Sequence, residues 1–130
     1  MAEQISDGKY YIQNRYNGCR MYYSDERNEL GCFQGRMYDD QIWDLKKKAQ
    51  ADSYAIGRDG KWLYYDGRNL IITPQRHEDW VFESASSPQG FYRIKSLTYN
   101  SYIFYDLDRN RFSCNSGTLN EDQLWCLIKI

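Results

Sequence analysis

Three short stretches of this chain combine carboxylates, amides and guanidinium groups in the same order. Tyr23, Tyr65 and Tyr105 are each followed by an acid-bearing turn that ends in Arg-Asn: Arg27-Asn28, Arg68-Asn69 and Arg109-Asn110. The acids are Asp25, Asp66, Asp106 and Asp108. A carboxylate offers acceptors, an amide offers both donors and acceptors, and a guanidinium offers a fork of donors. Hydroxyl-rich ligands such as sugars need paired donors and acceptors beside an aromatic face. Asp25, Asn28, Asp66, Asn69, Asp106 and Asn110 are therefore candidate binding residues. The same residues have a purely structural use, since Asn tolerates the left-handed turn conformation and Asp caps a turn. Threefold recurrence does not separate the two readings, because turns recur with the fold.

Catalytic chemistry has less support. His77 is the single histidine, and no Ser or Cys nucleophile is recognisably paired with it. Neither a nucleophile elbow nor a phosphate loop occurs, and no carboxylate spacing nominates an acid and a base. One histidine and no Cys-x-x-Cys pair give no zinc site of familiar spacing. The expectation is a binding protein without enzyme activity, metal or cofactor. The formal charge of -1 provides no global field for nucleic acid or anionic membrane. The Lys46-Lys47-Lys48 run reads as a solvated strand edge.

The elements that must position these residues come from an internal repeat. Asp40-Gln41-Ile42-Trp43 returns near the end as Asp122-Gln123-Leu124-Trp125, and a worn copy, His77-Glu78-Asp79-Trp80, lies between them. When the first third is slid onto the last, Gly8 falls on Gly90, Tyr10 on Tyr92, Ile12 on Ile94 and Tyr23 on Tyr105. Cys32 then meets Cys114, and Gly35 meets Gly117. The middle third supplies Tyr54, Ile56, Tyr65, Ile72 and Trp80 at the same stations. The chain reads as one domain of three copies, at about 1–48, 49–87 and 88–130.

Each copy carries four short runs of strand-forming residues with turn signals between them. The predicted strands are 9–13, 20–23, 30–33 and 41–47; then 53–58, 62–66, 70–73 and 80–84; then 91–95, 102–105, 112–114 and 123–130. Asp59-Gly60 and Asp66-Gly67 are strong hairpin turns. Aromatic content of 17 % favours strands over helices. Three units of four strands, about forty residues each, predict an all-β β-trefoil whose copies share one core. Ile12/Ile56/Ile94, Tyr23/Tyr65/Tyr105, Cys32/Ile72/Cys114 and Trp43/Trp80/Trp125 are its expected layers. Tyr11, Tyr16, Tyr22, Tyr38, Tyr64, Tyr99 and Tyr102 exceed what those layers need, and some of them should reach the surface.

Four cysteines leave the redox state open. Cys32 and Cys114 sit at an apolar station, and a Cys19–Cys32 bridge across a hairpin is one option. The start of the chain has no basic, apolar leader, so reduced thiols and a cytosolic or unconventionally exported protein are the default. No apolar run approaches the roughly 20 residues a membrane span needs.

Gln41-Ile42-Trp43 and Gln123-Leu124-Trp125 match the Gln-x-Trp signature of ricin-B-type β-trefoil lectins. The opening Asp7-Gly8-Lys9-Tyr10-Tyr11-Ile12-Gln13-Asn14 with Gly18 resembles the start of bacterial and fungal members of that group. The resemblance implies a glycan-binding protein, with galactose or N-acetylgalactosamine as the first ligand class and glycans or glycoproteins as partners. Its pocket aspartate would stand on the second strand, where this chain has Tyr22, Tyr64 and Phe104. Its aromatic platform falls on Phe33, but on Thr73 and Asn115 in the other copies. Its asparagine before the Gln-x-Trp glutamine is Asp40, His77 and Asp122 here. Copy one, with Phe33, Asp40 and nearby Asp25, comes closest to a pocket. Several weak sites would add through effective concentration, and a homodimer is left open. The alternatives are a protein-binding trefoil similar to mushroom protease inhibitors, using loops 34–39 or 84–89, and an assembly subunit of a toxin or adhesin complex. The Gln-x-Trp tryptophans are expected in the core, with the glutamines tying backbone between copies.

Overall fold

The computed structural model describes residues 5–48, 52–75, 78–85, 90–106, 108–109, 111–116 and 123–130. Among them lie twelve strands: β1 (Gly8–Asn14), β2 (Arg20–Ser24), β3 (Glu29–Phe33), β4 (Ile42–Lys47), β5 (Tyr54–Arg58), β6 (Lys61–Tyr65), β7 (Leu70–Thr73), β8 (Trp80–Ser84), β9 (Tyr92–Ser96), β10 (Ser101–Asp106), β11 (Arg111–Asn115) and β12 (Trp125–Lys129). Every predicted strand is present, with ends shifted by a residue or two. One short 3-10 turn, Asp39–Gln41, precedes β4 and takes in Gln41, which the sequence placed on the strand.

Antiparallel pairing closes the order β1-β4-β5-β8-β9-β12 back on β1, giving a six-stranded barrel. The remaining strands pair as three hairpins, β2-β3, β6-β7 and β10-β11. That arrangement is a β-trefoil. The β5-β6 turn shows the local logic: Asp59 and Gly60 take φ of 51° and 75°, the positive values a two-residue hairpin needs.

The core is threefold. Trp43, Trp80 and Trp125 are fully buried, and each indole N–H donates to a carbonyl on its own copy's second strand: Met21 O, Leu63 O and Ile103 O. Met21, Leu63 and Ile103 form a buried layer of their own, one the sequence comparison passed over because three different residue types fill it. Ile12, Ile56 and Ile94, with Tyr23, Tyr65 and Tyr105, are buried in the same core. Cys32, Ile72 and Cys114 pack at the edge of this core.

Two expectations need correction. Gln41 does not tie copies together: its Oε1 accepts from Arg20 Nε at 2.8 Å and its Nε2 donates to Arg36 O at 3.0 Å, both within copy one. A side-chain link between copies one and two comes instead from Arg58 of β5, whose Nη1 donates to Asp39 O and Ile42 O at 3.0 and 2.6 Å. The reduced state also gives way, because Cys19 and Cys32 form a disulfide. The pairing of Met21 with Cys32 across β2-β3 sets Cys19 diagonally beside Cys32, with Cα atoms 5.3 Å apart, within the span of a disulfide. Cys114 and Cys126 are free, and burial pushes the Cys114 thiol up to about 12.

Candidate functional site

The threefold turns hold themselves. Asp66 Oδ1 accepts from the backbone N–H groups of Asn69 and Arg68 at 2.7 and 2.8 Å, which holds its carboxyl below the ordinary range. Asp106 Oδ1 accepts in the same way from Asp108 N and Arg109 N. In copy one Ser24 Oγ takes that part, accepting from Arg27 N. Asn28 adopts a left-handed φ of 47°, and its Oδ1 accepts from the Tyr23 hydroxyl at 2.6 Å. Asp25 faces copy two, 2.6 Å from Lys61 Nζ. The side chains of Asp66, Asp106 and Asn28 thus have partners within their own hairpins, as the structural reading of the motif requires. Asn110, Asp122 and His77 lie outside the described residues.

Phe33 and Asp40, in contrast, come together. A hollow of about 210 Å³ in copy one is lined by Tyr22, Arg27, Phe33, Tyr38, Asp40 and Gln41. Phe33 ends β3 and Tyr38 precedes the 3-10 turn. Their rings lie 5.9 Å apart at 49°, and both are exposed. Asp40 lies in the 3-10 turn, and its Oδ1 is shielded from solvent with no hydrogen-bond donor among the described residues. Arg27 stands at the rim, 3.5 Å from Glu29. The site thus combines an aromatic wall, an unsatisfied anionic acceptor and a guanidinium donor. Such a shallow cleft is suited to a small ligand with one apolar face and several hydroxyls.

Sequence reasoning missed what positions these groups. Arg20 is buried, and its guanidinium donates to Gln41 Oε1, Gly35 O and, at 3.4 Å, Gln13 Oε1. With Gln41 on Arg36 O and Arg58 on Asp39 O, three side chains fix the backbone of residues 35–42 around Asp40. The signal was present: Arg20 falls where copies two and three carry Trp62 and Tyr102. Tyr38 of loop 34–39, the candidate protease-binding loop, lines this hollow. Residues 86–89 of the other candidate loop lie outside the described residues.

Tyr22 replaces the aspartate that the resemblance placed on the second strand. Its ring lies across Gly31 on β3, and its hydroxyl donates to Glu29 Oε2 at 2.7 Å. Burial, reinforced by that carboxylate, pushes the phenol up to about 12. The acceptor of the hollow therefore comes from the loop and not from the second strand. A Cβ on Gly31 would sit 2.7 Å from the Tyr22 ring. We expect Gly31→Ala to tip that ring and weaken ligand binding by about 1 kcal/mol, roughly fivefold, with little change in melting temperature. Titration beside a thermal melt checks this, and unchanged affinity would remove Tyr22 from the site.

No protein-family model matches the chain. A protein of Mytilisepta virgata described as a GM1b/asialo-GM1 oligosaccharide-binding R-type lectin is 37% identical over 130 residues, covering 96% of both chains. The solved structure of SeviL bound to asialo-GM1 saccharide superposes with a TM-score of 0.88 at 36% identity, over 95% of this chain and 98% of that one. The ricin B-like lectin of Macrolepiota procera, in complex with lactose, gives 0.82 at 15% identity over 98% and 100%, a likeness of fold.

Proposed function

The chain belongs to the R-type lectins, and from that premise we propose that it binds carbohydrate through the copy-one hollow, with galactose or N-acetylgalactosamine as the preferred sugar. The observation that carries the reading is Asp40. A shielded carboxylate oxygen without a donor is unfavourable in an empty protein and becomes satisfied when a ligand hydroxyl donates to it. Phe33 and Tyr38 offer the apolar face of a pyranose its counterpart, and Arg27 donates at the rim.

Copies two and three place Thr73 and Asn115 at the Phe33 station, so the reading assigns the main sugar site to copy one. Avidity on a glycan-coated surface then depends on a second site or a second copy of the chain. The Cys19–Cys32 bridge supports a working environment outside the reducing cytosol. The experiment is a glycan-array screen of the purified chain, repeated with free galactose as competitor. Binding that galactose displaces is the expected result. A blank array at high protein concentration would remove the reading for common glycans.

A further inference from the structure

A second hollow, of about 220 Å³, lies where β4 meets β5 and is lined by Lys46, Lys47, Lys48, Ala55 and Trp62. Strand alternation builds it. Tyr54 and Ile56 are buried on one face of β5, so Ala55 and Gly57 lie on the other, where they are small and are themselves covered by their neighbours, Trp62 among them. Gly57 pairs with Trp62, and a Cβ on Gly57 would come within 2.6 Å of the indole, which therefore lies directly against the wall. Lys46 pairs with Ala55 across β4-β5, on the same outer face.

The acids facing this region are engaged. Asp44 is 2.8 Å from Lys9, Asp52 is 3.5 Å from Lys47, and Asp79 contacts Lys48. Lys46 is exposed, and among the described residues no ion pair engages it. The result is an indole beside one uncompensated ammonium, that of Lys46, with two ion-paired lysines next to it. The hollow lies where copy one meets copy two, with its lysines from the first and its indole from the second; at the Trp62 station the other copies carry Arg20 and Tyr102, so neither offers an indole there.

We propose that this hollow is a second ligand site, separate from that of copy one, for a saccharide bearing a carboxylate or sulfate. The indole takes the C–H face of the ring. Ammonium groups act as point charges, so either anion suits them equally well. The choice of a saccharide rests on the lectin reading, whereas the aromatic and cationic character of the site does not.

The test uses the full chain and the indole N–H signal of Trp62. The other three tryptophans are fully buried and bonded to backbone, so Trp62 alone is positioned to report a surface ligand. Probes are galactose 3-sulfate, 3′-sialyllactose, galactose and inorganic sulfate. At least one anionic sugar should shift the Trp62 signal in both the unaltered chain and Asp40→Ala. Lys46→Glu, at an exposed position, should weaken that response about tenfold and leave the melting temperature unchanged. No Trp62 shift with either anionic sugar overturns the proposal, as does an equal shift with inorganic sulfate alone. If galactose binds nowhere while an anionic sugar shifts Trp62, the copy-one reading fails and this site stands.

Discussion

Asp40→Ala should abolish measurable galactose binding while leaving the protein at least as stable as before. A hydrogen bond to a charged group contributes about 1.5 to 3 kcal/mol, which corresponds to roughly 10- to 150-fold in affinity. The unliganded protein gains no hydrogen bond at Asp40 Oδ1, so removing the carboxylate leaves no native partner orphaned. Loss of binding without loss of melting temperature is the signature of a group kept for function at the expense of stability. Phe33→Ala should weaken binding comparably, by removing one ring of the aromatic wall. The two substitutions touch one ligand, so their effects should not add.

Asp66→Ala supplies the contrast. It releases two backbone N–H groups in the copy-two turn and should lower stability by about 1 kcal/mol without touching affinity. Galactose titrations and thermal melts of the three variants decide between hollow and turns. Were Asp66→Ala to lose the sugar while Asp40→Ala kept it, the threefold Arg-Asn turns would be the binding sites.

Breaking the Cys19–Cys32 disulfide should cost about 3 kcal/mol of stability, the chain-entropy value for a loop of this size. The two cysteines are 13 residues apart. For a domain of this length the melting temperature should fall by roughly 10 °C. Affinity should fall too, because Cys32 directly precedes Phe33 and the bridge holds the β2-β3 hairpin that carries the aromatic wall. Melts and titrations with and without a thiol reductant, beside a Cys19→Ala/Cys32→Ala variant, test both effects. Thiol counting on the unfolded, unreduced chain should find two free groups, Cys114 and Cys126. A count of four would show that the bridge is not formed.

Station for station, copy three meets the same problem differently. Cys114 corresponds to Cys32, and Ser101 takes the place of Cys19. The copy that carries the Phe33–Asp40 hollow is thus the stapled one, which fits a site whose aromatic residue must stay fixed at the end of a short strand.

The fold could be read from the chain because it is written locally and three times. Alternating apolar residues specify strands, Asp-Gly and Arg-Asn specify turns, and three tryptophans at one station require one shared core. Phe33 and Asp40 were nominated by the resemblance to ricin-B-type lectins, and both line one hollow in the structure. What the sequence could not decide was which polar residues are already occupied. Asp66 and Asp40 look alike along the chain, yet one accepts two backbone N–H groups and the other accepts none among the described residues. Arg20, Arg58 and Trp62 gained their roles only through pairing across strands, and the Cys19–Cys32 bridge through the register of one hairpin. Periodicity records which face of a strand a residue takes. Whether its hydrogen bonds are then satisfied depends on neighbours brought in from other strands, and only the folded chain settles that.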